Sequence, residues 1–489
     1  MPFFIVVSAL LLAVVVYDLL QKKHAILRNF PLLGHLRYLL EAIGPELRQY
    51  IVTDNDTERP FSRDQRRWVY ASSKKENNYF GFGTDNDLEA SSNYIIIKHS
   101  AFPCAHPLPG EEGYDPEYAI PCRKVVGGHR QRRQAFRPAS VVNVSGMSFG
   151  SLGSAAIEAI NRGCGIAGCL HNTGEGGVSR HHLHGGELIL QLGTAYFGSR
   201  DEKGGFSLAM LKETLERTPT VRAIEIKLSQ GAKPGLGGLL PKEKITAEIA
   251  LARGIPGDRD CVSPAGHTAF RDPDSLLDFI ETVADATGLP VGIKSAVGDM
   301  RFWENLARLI VETGRAPDFI NIDGGEGGTG AAPLVHADHV ALPFKIGFHR
   351  VRSVFEEAGV ADWIVWGGAG KLGFPEQAVV AMALGCDLVH VGREALLSIG
   401  CIQAQRCHTG HCPAGVATHH KWLMRGLDPM SKSARLANYI VTLRKELLAV
   451  ASSTGHRHPA EITMDQIEIL DAGFRSRTLA EQLSVRERG

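Results

Sequence analysis

WIVWGGAGKLGFPEQAVVAMALGCDLVHVGR, residues 363–393, decides the fold. Its two ends, WIVWGG (363–368) and LVHVGR (388–393), are short, nearly continuous apolar runs, and PEQAVVAMALG between them reads as a helix. Such strands are buried on both faces, and a helical crossover between them makes them parallel. Moving outward, six earlier runs repeat the pattern: VVNVSG (141–146), GIAGCLH (165–171), LILQLG (188–193), AIEIKL (223–228), VGIKSA (291–296) and FINIDG (319–324). Helical stretches such as SLLDFIETVADAT separate most of them. Eight parallel strands alternating with helices predict an α/β fold, a closed (β/α)8 barrel with its chemistry at the strand C-terminal ends.

The residues at those ends are suggestive. Gly367 and Gly368 close the seventh strand, and Gly392 with Arg393 the eighth, where barrels commonly cradle a phosphate. Gly324 and Gly325 close the sixth and allow backbone to approach a flat ring, although ordinary barrel turns would use the same glycines. Lys227 and Lys294 end the fourth and fifth strands, and a lysine inside an apolar strand is costly without a partner. Past the barrel, Cys401, Cys407 and Cys412 stand in C-x5-C-x4-C spacing, closed by Pro413. Three thiolates on one loop suit an iron–sulfur cluster; zinc with His408 or His411 as fourth ligand, or unligated buried thiols, are the alternatives. The run HHLH (181–184) has no Asp or Cys beside it and reads as a surface loop. His171 and His267 are candidates for proton transfer.

Five motifs occur in order: MSFGSLGSAAIEAINRG (147–163), HNTGEGG (171–177), EIKLSQGAKPGLGG (225–238), DGGEGGTGAAP (323–333) and CHTGHCPAGVAT (407–418). Together they resemble the synthase domain of glutamate synthase over roughly residues 135–425, and the chain looks like that family's short, membrane-tethered, single-domain members. The resemblance implies a TIM barrel carrying FMN and a [3Fe–4S] cluster, with Cys401, Cys407 and Cys412 as cluster ligands. It places Ser145, Gln191, Lys294, Asp323, Gly324, Gly325, Gly367, Gly368, Gly392 and Arg393 around the flavin. Glu175, Lys227 and Lys233 become catalytic, Lys233 gripping a substrate carboxylate and Glu175 facing the nitrogen. The implied reaction reduces the imine of a 2-oxo acid, 2-oxoglutarate or a relative, formed with ammonia or an amine. Electrons would come from a ferredoxin or a membrane redox partner. An amine–glutamate transferase subunit, as in N-methylglutamate synthase, is the alternative. After KPG the large glutamate synthases read Glu-Gly-Gly-Gln, whereas here stand Leu236, Gly237, Gly238 and Leu239, which predicts a less polar pocket. No glutaminase, glycine-repeat domain or G-x-G-x-x-G nucleotide site is expected.

Composition sets the remaining bounds. Equal numbers of basic and acidic residues, 53 each, give no nucleic-acid footprint. Nine cysteines without short-range pairing argue against a secreted disulfide scaffold. Residues 3–17, FFIVVSALLLAVVVY, carry no charge and are followed by Lys22, Lys23, His24 and Arg28. That pattern predicts a single-pass anchor in the cytoplasmic membrane with the catalytic part in the cytoplasm; a signal sequence or a core or dimer helix are the alternatives. The expected organisation is an anchor (1–22), a helical and extended collar (23–135), the barrel with its cysteine loop (136–425) and a helical extension (426–489), with a homo-oligomer compatible.

Overall fold

A computed structural model describes residues 2–107, 109–240 and 242–484, with only the backbone of Leu239 and Glu243. Eight strands close a parallel barrel: β1 (Val142–Val144), β2 (His171–Asn172), β3 (Leu188–Leu192), β4 (Val221–Lys227), β5 (Val291–Ser295), β6 (Phe319–Asp323), β7 (Val365–Ala369) and β8 (Leu388–Val391). Each strand pairs with the next, and β8 returns to β1 through Val389↔Val142. The barrel is as the sequence predicts, with one strand displaced. The run 165–171 begins as helix: α3 below extends to Ala167, Gly168 caps it at φ 63°, and only His171 and Asn172 pair as β2. An apolar run interrupted by glycines satisfies both periodicities, and the left-handed cap decides.

Side-chain alternation sorts the barrel interior into layers. At the bottom, Ile189, Ala223, Phe319, Val365 and Leu388 meet Cys122, Val126 and Phe136 from the segment before β1, forming one apolar plug. Val126 and Phe136 bridge each other, so this segment enters as a small hairpin. Two residues higher stand Gln191, Glu225, Asn321 and His390, all buried. Above them Lys227 and Lys294 lie side by side in the β4–β5 register, next to Asp323 at the end of β6. Thus the core becomes more polar toward the strand C-terminal ends.

The chain divides into two units, residues 1–66 and 67–489. In the first, α1 (Pro2–Leu20) is long and apolar enough to cross a membrane, and its large apolar side chains are exposed. Asp18 near its end is buried and accepts the Leu32 N–H at 3.2 Å and a His35 ring nitrogen at 3.0 Å, fixing the turn into α2 (Leu33–Leu47). In the second, α3 (Ser154–Ala167) follows β1, and α4 (Ala247–Arg253) lies in the long crossover between β4 and β5. The C-terminal α5 (Pro429–Ser453) buries Leu436, Tyr439, Ile440, Leu443 and Leu447 on one face. It presses so closely on α3 that a Cβ at Gly163 would lie 2.8 Å from the Leu436 side chain. The strand Tyr94–Ile97 pairs antiparallel with Ile467–Leu470, tying the segment before the barrel to the segment after it.

Candidate active site

A cavity of about 740 Å³ opens at the C-terminal mouth of the barrel. That is the size of a cofactor or substrate site. Ser145, Gln191, Lys294, Asp323, Gly392 and Arg393 line it, as do Glu175, Lys227 and Lys233. Gly324, Gly325, Gly367 and Gly368 do not line it. The N–H groups of Gly324 and Gly325 donate to the carbonyls of Ala369 and Leu342. Gly367 lies within β7, where a Cβ would meet Asn321 Oδ1 at 1.7 Å. These glycines make room for neighbouring loops and side chains.

One wall is charged. Lys227 Nζ lies 3.0 Å from Glu175 Oε1 and donates to Gln230 Oε1 at 2.7 Å. Burial opposes ionisation of Glu175, but Lys227 and Lys233 outweigh it and hold the carboxyl below its ordinary range. Lys233, buried, is lowered by desolvation, with Glu175 pulling the other way. Arg253, at the end of α4, adds a second buried cation whose guanidinium donates to the Phe149 carbonyl at 3.2 Å. Sequence reading missed Arg253, because nothing local links a helix-terminal arginine in a long crossover to a strand-end pocket.

The floor is built differently. Lys294 Nζ lies 3.4 Å from Asp323 Oδ2, which also accepts the Gly231 N–H at 3.0 Å. Burial works against the ammonium, yet Asp323 and Glu225 raise its pKa. Beneath, Glu225 accepts Asn172 Nδ2 at 2.8 Å, Gln191 Nε2 at 2.6 Å and Asn321 Nδ2. A buried carboxyl is tolerated only with such a full set of donors. Glu225 was also missed, although AIEIKL places it on the same side of its strand as Lys227.

These groups fit FMN. The backbone at Gly392 is open, with only Ser145 Cβ at 3.9 Å from an added Cβ, so a phosphate can approach beside Arg393. At Gly146 a Cβ would lie 2.7 Å from Asn172 Oδ1 and 2.9 Å from Gln191 Nε2, so glycine keeps the mouth clear of its floor. Lys294 places a cation at the cavity floor, the kind of group that favours an anionic reduced flavin ring.

The cysteine loop borders the same cavity. Cys407 and His408 line it, and Lys244 Nζ donates to the His408 carbonyl at 2.9 Å. No disulfide joins the described cysteines. Burial and nearby Cys412 push the Cys407 thiol up. Tyr70 Oη donates to the Cys401 carbonyl at 2.8 Å, and the Gln403 N–H points at Cys401 Sγ at 3.4 Å. Gln403 and Gln405 hold φ of 58° and 54°, which turns the loop back on itself. Three thiols with a backbone N–H aimed at one sulfur match the donor set of an iron–sulfur cluster.

His267 and His171 stand behind the walls. His267 engages Tyr196 Oη at 3.0 Å and the Lys227 carbonyl at 2.9 Å, while His171 is fully buried beside His182 at 5.3 Å between ring centroids. The HHLH run is no plain surface loop: His181 and His182 are buried. His182 turns inward because its Nδ1 accepts the Ser179 N–H at 3.1 Å.

Residues 122–457 match the family described as the conserved region in glutamate synthase. The chain is 36% identical over 476 residues to a glutamate synthase large subunit-like protein of Bacillus subtilis, covering 91% of this chain and 90% of that one. It is 33% identical over 318 residues to an archaeal glutamate synthase [NADPH] of Methanocaldococcus jannaschii, covering 64% of this chain and 59% of the relative. A flavocytochrome b2 mutant structure overlays with TM-score 0.45 at 14% identity, over 97% of this chain and 94% of that one.

Proposed function

The chain belongs to the glutamate synthase family, and from that premise we propose that it is an FMN- and iron–sulfur-dependent oxidoreductase reducing the imine of a 2-oxo acid to an amino acid. The observation that carries this reading is one cavity lined by Lys294 and Asp323 on one side and by Glu175, Lys227, Lys233 and Arg253 on the other. Bound FMN supplies a hydride donor, and a [3Fe–4S] cluster on Cys401, Cys407 and Cys412 supplies a one-electron relay from a separate donor, a ferredoxin or a membrane redox protein. The chain's residues do the rest. Lys233 and Arg253 bind the carboxylates of the oxo acid, since cations in a partly dry pocket anchor anions strongly. Glu175, ionised beside Lys227, orients the imine nitrogen, and the Lys227 ammonium, 3.0 Å from that carboxylate, is the neighbouring proton donor. The product carries one new C–H bond and one new N–H bond. Ammonia or a small amine enters from solution or a partner.

Leu236 lines the cavity, whereas the side chain of Leu239 lies outside the described residues. An apolar contact at Leu236 supports an amino acceptor less polar than 2-oxoglutarate, a shift of about 1–3 kcal/mol in preference. Helix α1 anchors the enzyme in the cytoplasmic membrane, with the barrel on the cytoplasmic side. Anaerobically purified protein is expected to hold about one FMN and about three iron atoms per chain. Cys401→Ser, Cys407→Ser or Cys412→Ser should remove most of the iron and spare the FMN. Titrated 2-oxo acids should perturb the flavin absorbance, and Lys233→Ala should weaken that binding by at least about tenfold. Colourless, iron-free protein that still reduces the imine contradicts the reading.

A further inference from the structure

The HHLH run carries histidines that the proposed reaction does not use. His181 is the middle residue of a short turn (Arg180–His182), His184 follows, and Glu158 belongs to α3. One ring nitrogen of each histidine and one carboxylate oxygen of Glu158 lie within 4.8 Å of one another. Glu158 Oε2 stands 3.7 Å from His184 Nε2. That is too long for a hydrogen bond. It is near the spacing of two ligands on one tetrahedral ion, since bonds of about 2.0–2.2 Å put neighbouring donors about 3.4 Å apart.

The surroundings hold this arrangement in place. Asn161, one turn along α3 from Glu158, accepts the N–H groups of His184 at 2.8 Å and Gly186 at 3.2 Å. Arg162 Nε donates to Glu158 Oε1 at 2.9 Å and leaves Oε2 turned to His184. Glu248 Oε1 lies 2.7 Å from His181 Nε2, and Arg180 Nε stands 2.7 Å from the same oxygen. A carboxylate behind an imidazole is the usual outer partner of a metal-bound histidine. Two histidines, one glutamate and an open position are a zinc-type donor set.

We propose that Glu158, His181 and His184 bind one divalent transition-metal ion of the zinc type, completed by water. The ion would clamp the 179–187 loop to α3 and, through Glu248, to α4, whose last residue Arg253 reaches the cavity. The site is independent of the flavin and of the cysteine loop.

The test uses untagged, full-length protein with its cofactors, washed with a mild chelator and dialysed against buffered free Zn2+, with bound zinc counted by elemental analysis. The account expects about one zinc per chain, retained in Cys407→Ser and accompanied by a rise in unfolding temperature. His184→Ala and Glu158→Gln, both at part-exposed positions, should weaken binding at least about 100-fold, and Glu248→Gln about 10–100-fold. Each should keep the zinc-free unfolding temperature of the parent. Zinc held equally by His184→Ala and the parent, zinc lost in Cys407→Ser, or no zinc bound at all overturns the proposal.

Discussion

Replacing Glu225 with Leu leaves three buried amide donors, on Asn172, Gln191 and Asn321, without their acceptor. Each orphaned donor costs about 1–3 kcal/mol. Glu225→Leu should therefore lower the unfolding temperature sharply and loosen the floor under Lys294. Glu225→Gln should be milder, because Asn321 can turn its amide and offer Oδ1, which has no partner now, to the new NH2. Equal loss in both variants, measured by thermal unfolding, would show that the network is not what matters. The buried histidines make a second prediction. Burial holds His390 down at about 4, with Lys294 pushing the same way and Glu225 and Asp323 opposing. Burial and His181 hold His182 at about 3. In the unfolded chain both titrate near about 6.5. Between about pH 6.5 and 4 the unfolded state therefore binds protons that the native state refuses, so stability falls as pH falls through that window. Unfolding temperature followed from pH 7.5 to 5 should drop, and less steeply in His390→Asn. A flat profile would mean that these rings take up protons in the folded protein. Lys294 was legible in the sequence because it sits at a strand end, and Lys233 and Glu175 because their motifs resemble the family's. Arg253, Glu225 and Glu158 were not, because their partners come from distant segments.

At the scale of elements, the barrel depends on glycines at close approaches. A Cβ at Gly231 would lie 1.8 Å from the Gly324 carbonyl oxygen, where the loops after β4 and β6 press together. A Cβ at Gly367 would collide with Asn321 Oδ1 in the middle layer. Gly231→Ala and Gly367→Ala should each cost about 1–3 kcal/mol or more by overpacking. Gly314→Ala, at a helix cap with φ 68° but open space around it, should cost less and do so through backbone strain alone. Denaturant unfolding separates the two mechanisms, and equal costs at all three sites would contradict them. The strands were readable because an apolar run of five residues between helical patterns has few alternatives. The second strand was not, since GIAGCLH holds a helix end, a left-handed cap and the first residue of a two-residue strand. The HHLH turn was taken for a surface loop for a similar reason: His181 and His182 are buried because the fold packs their turn against α3, which lies apart from it in sequence.

For the molecule as a whole, two claims are open to direct measurement. Protein lacking residues 1–22 should stay in solution and keep its flavin, while the full chain sediments with membranes. Equal partitioning of both would assign α1 to protein packing instead. The central claim is that one barrel mouth holds the flavin and the imine of a 2-oxo acid together. Its most direct test is single-turnover reoxidation of the chemically reduced protein under anaerobic conditions, offering 2-oxo acids with ammonia or methylamine. The account predicts that flavin absorbance returns only when oxo acid and amine are both present, with one amino acid formed per flavin. Lys233→Ala and Glu175→Gln should slow that return by at least about 100-fold. Flavin that stays reduced in every mixture, or that reoxidises equally fast in both variants, would contradict it.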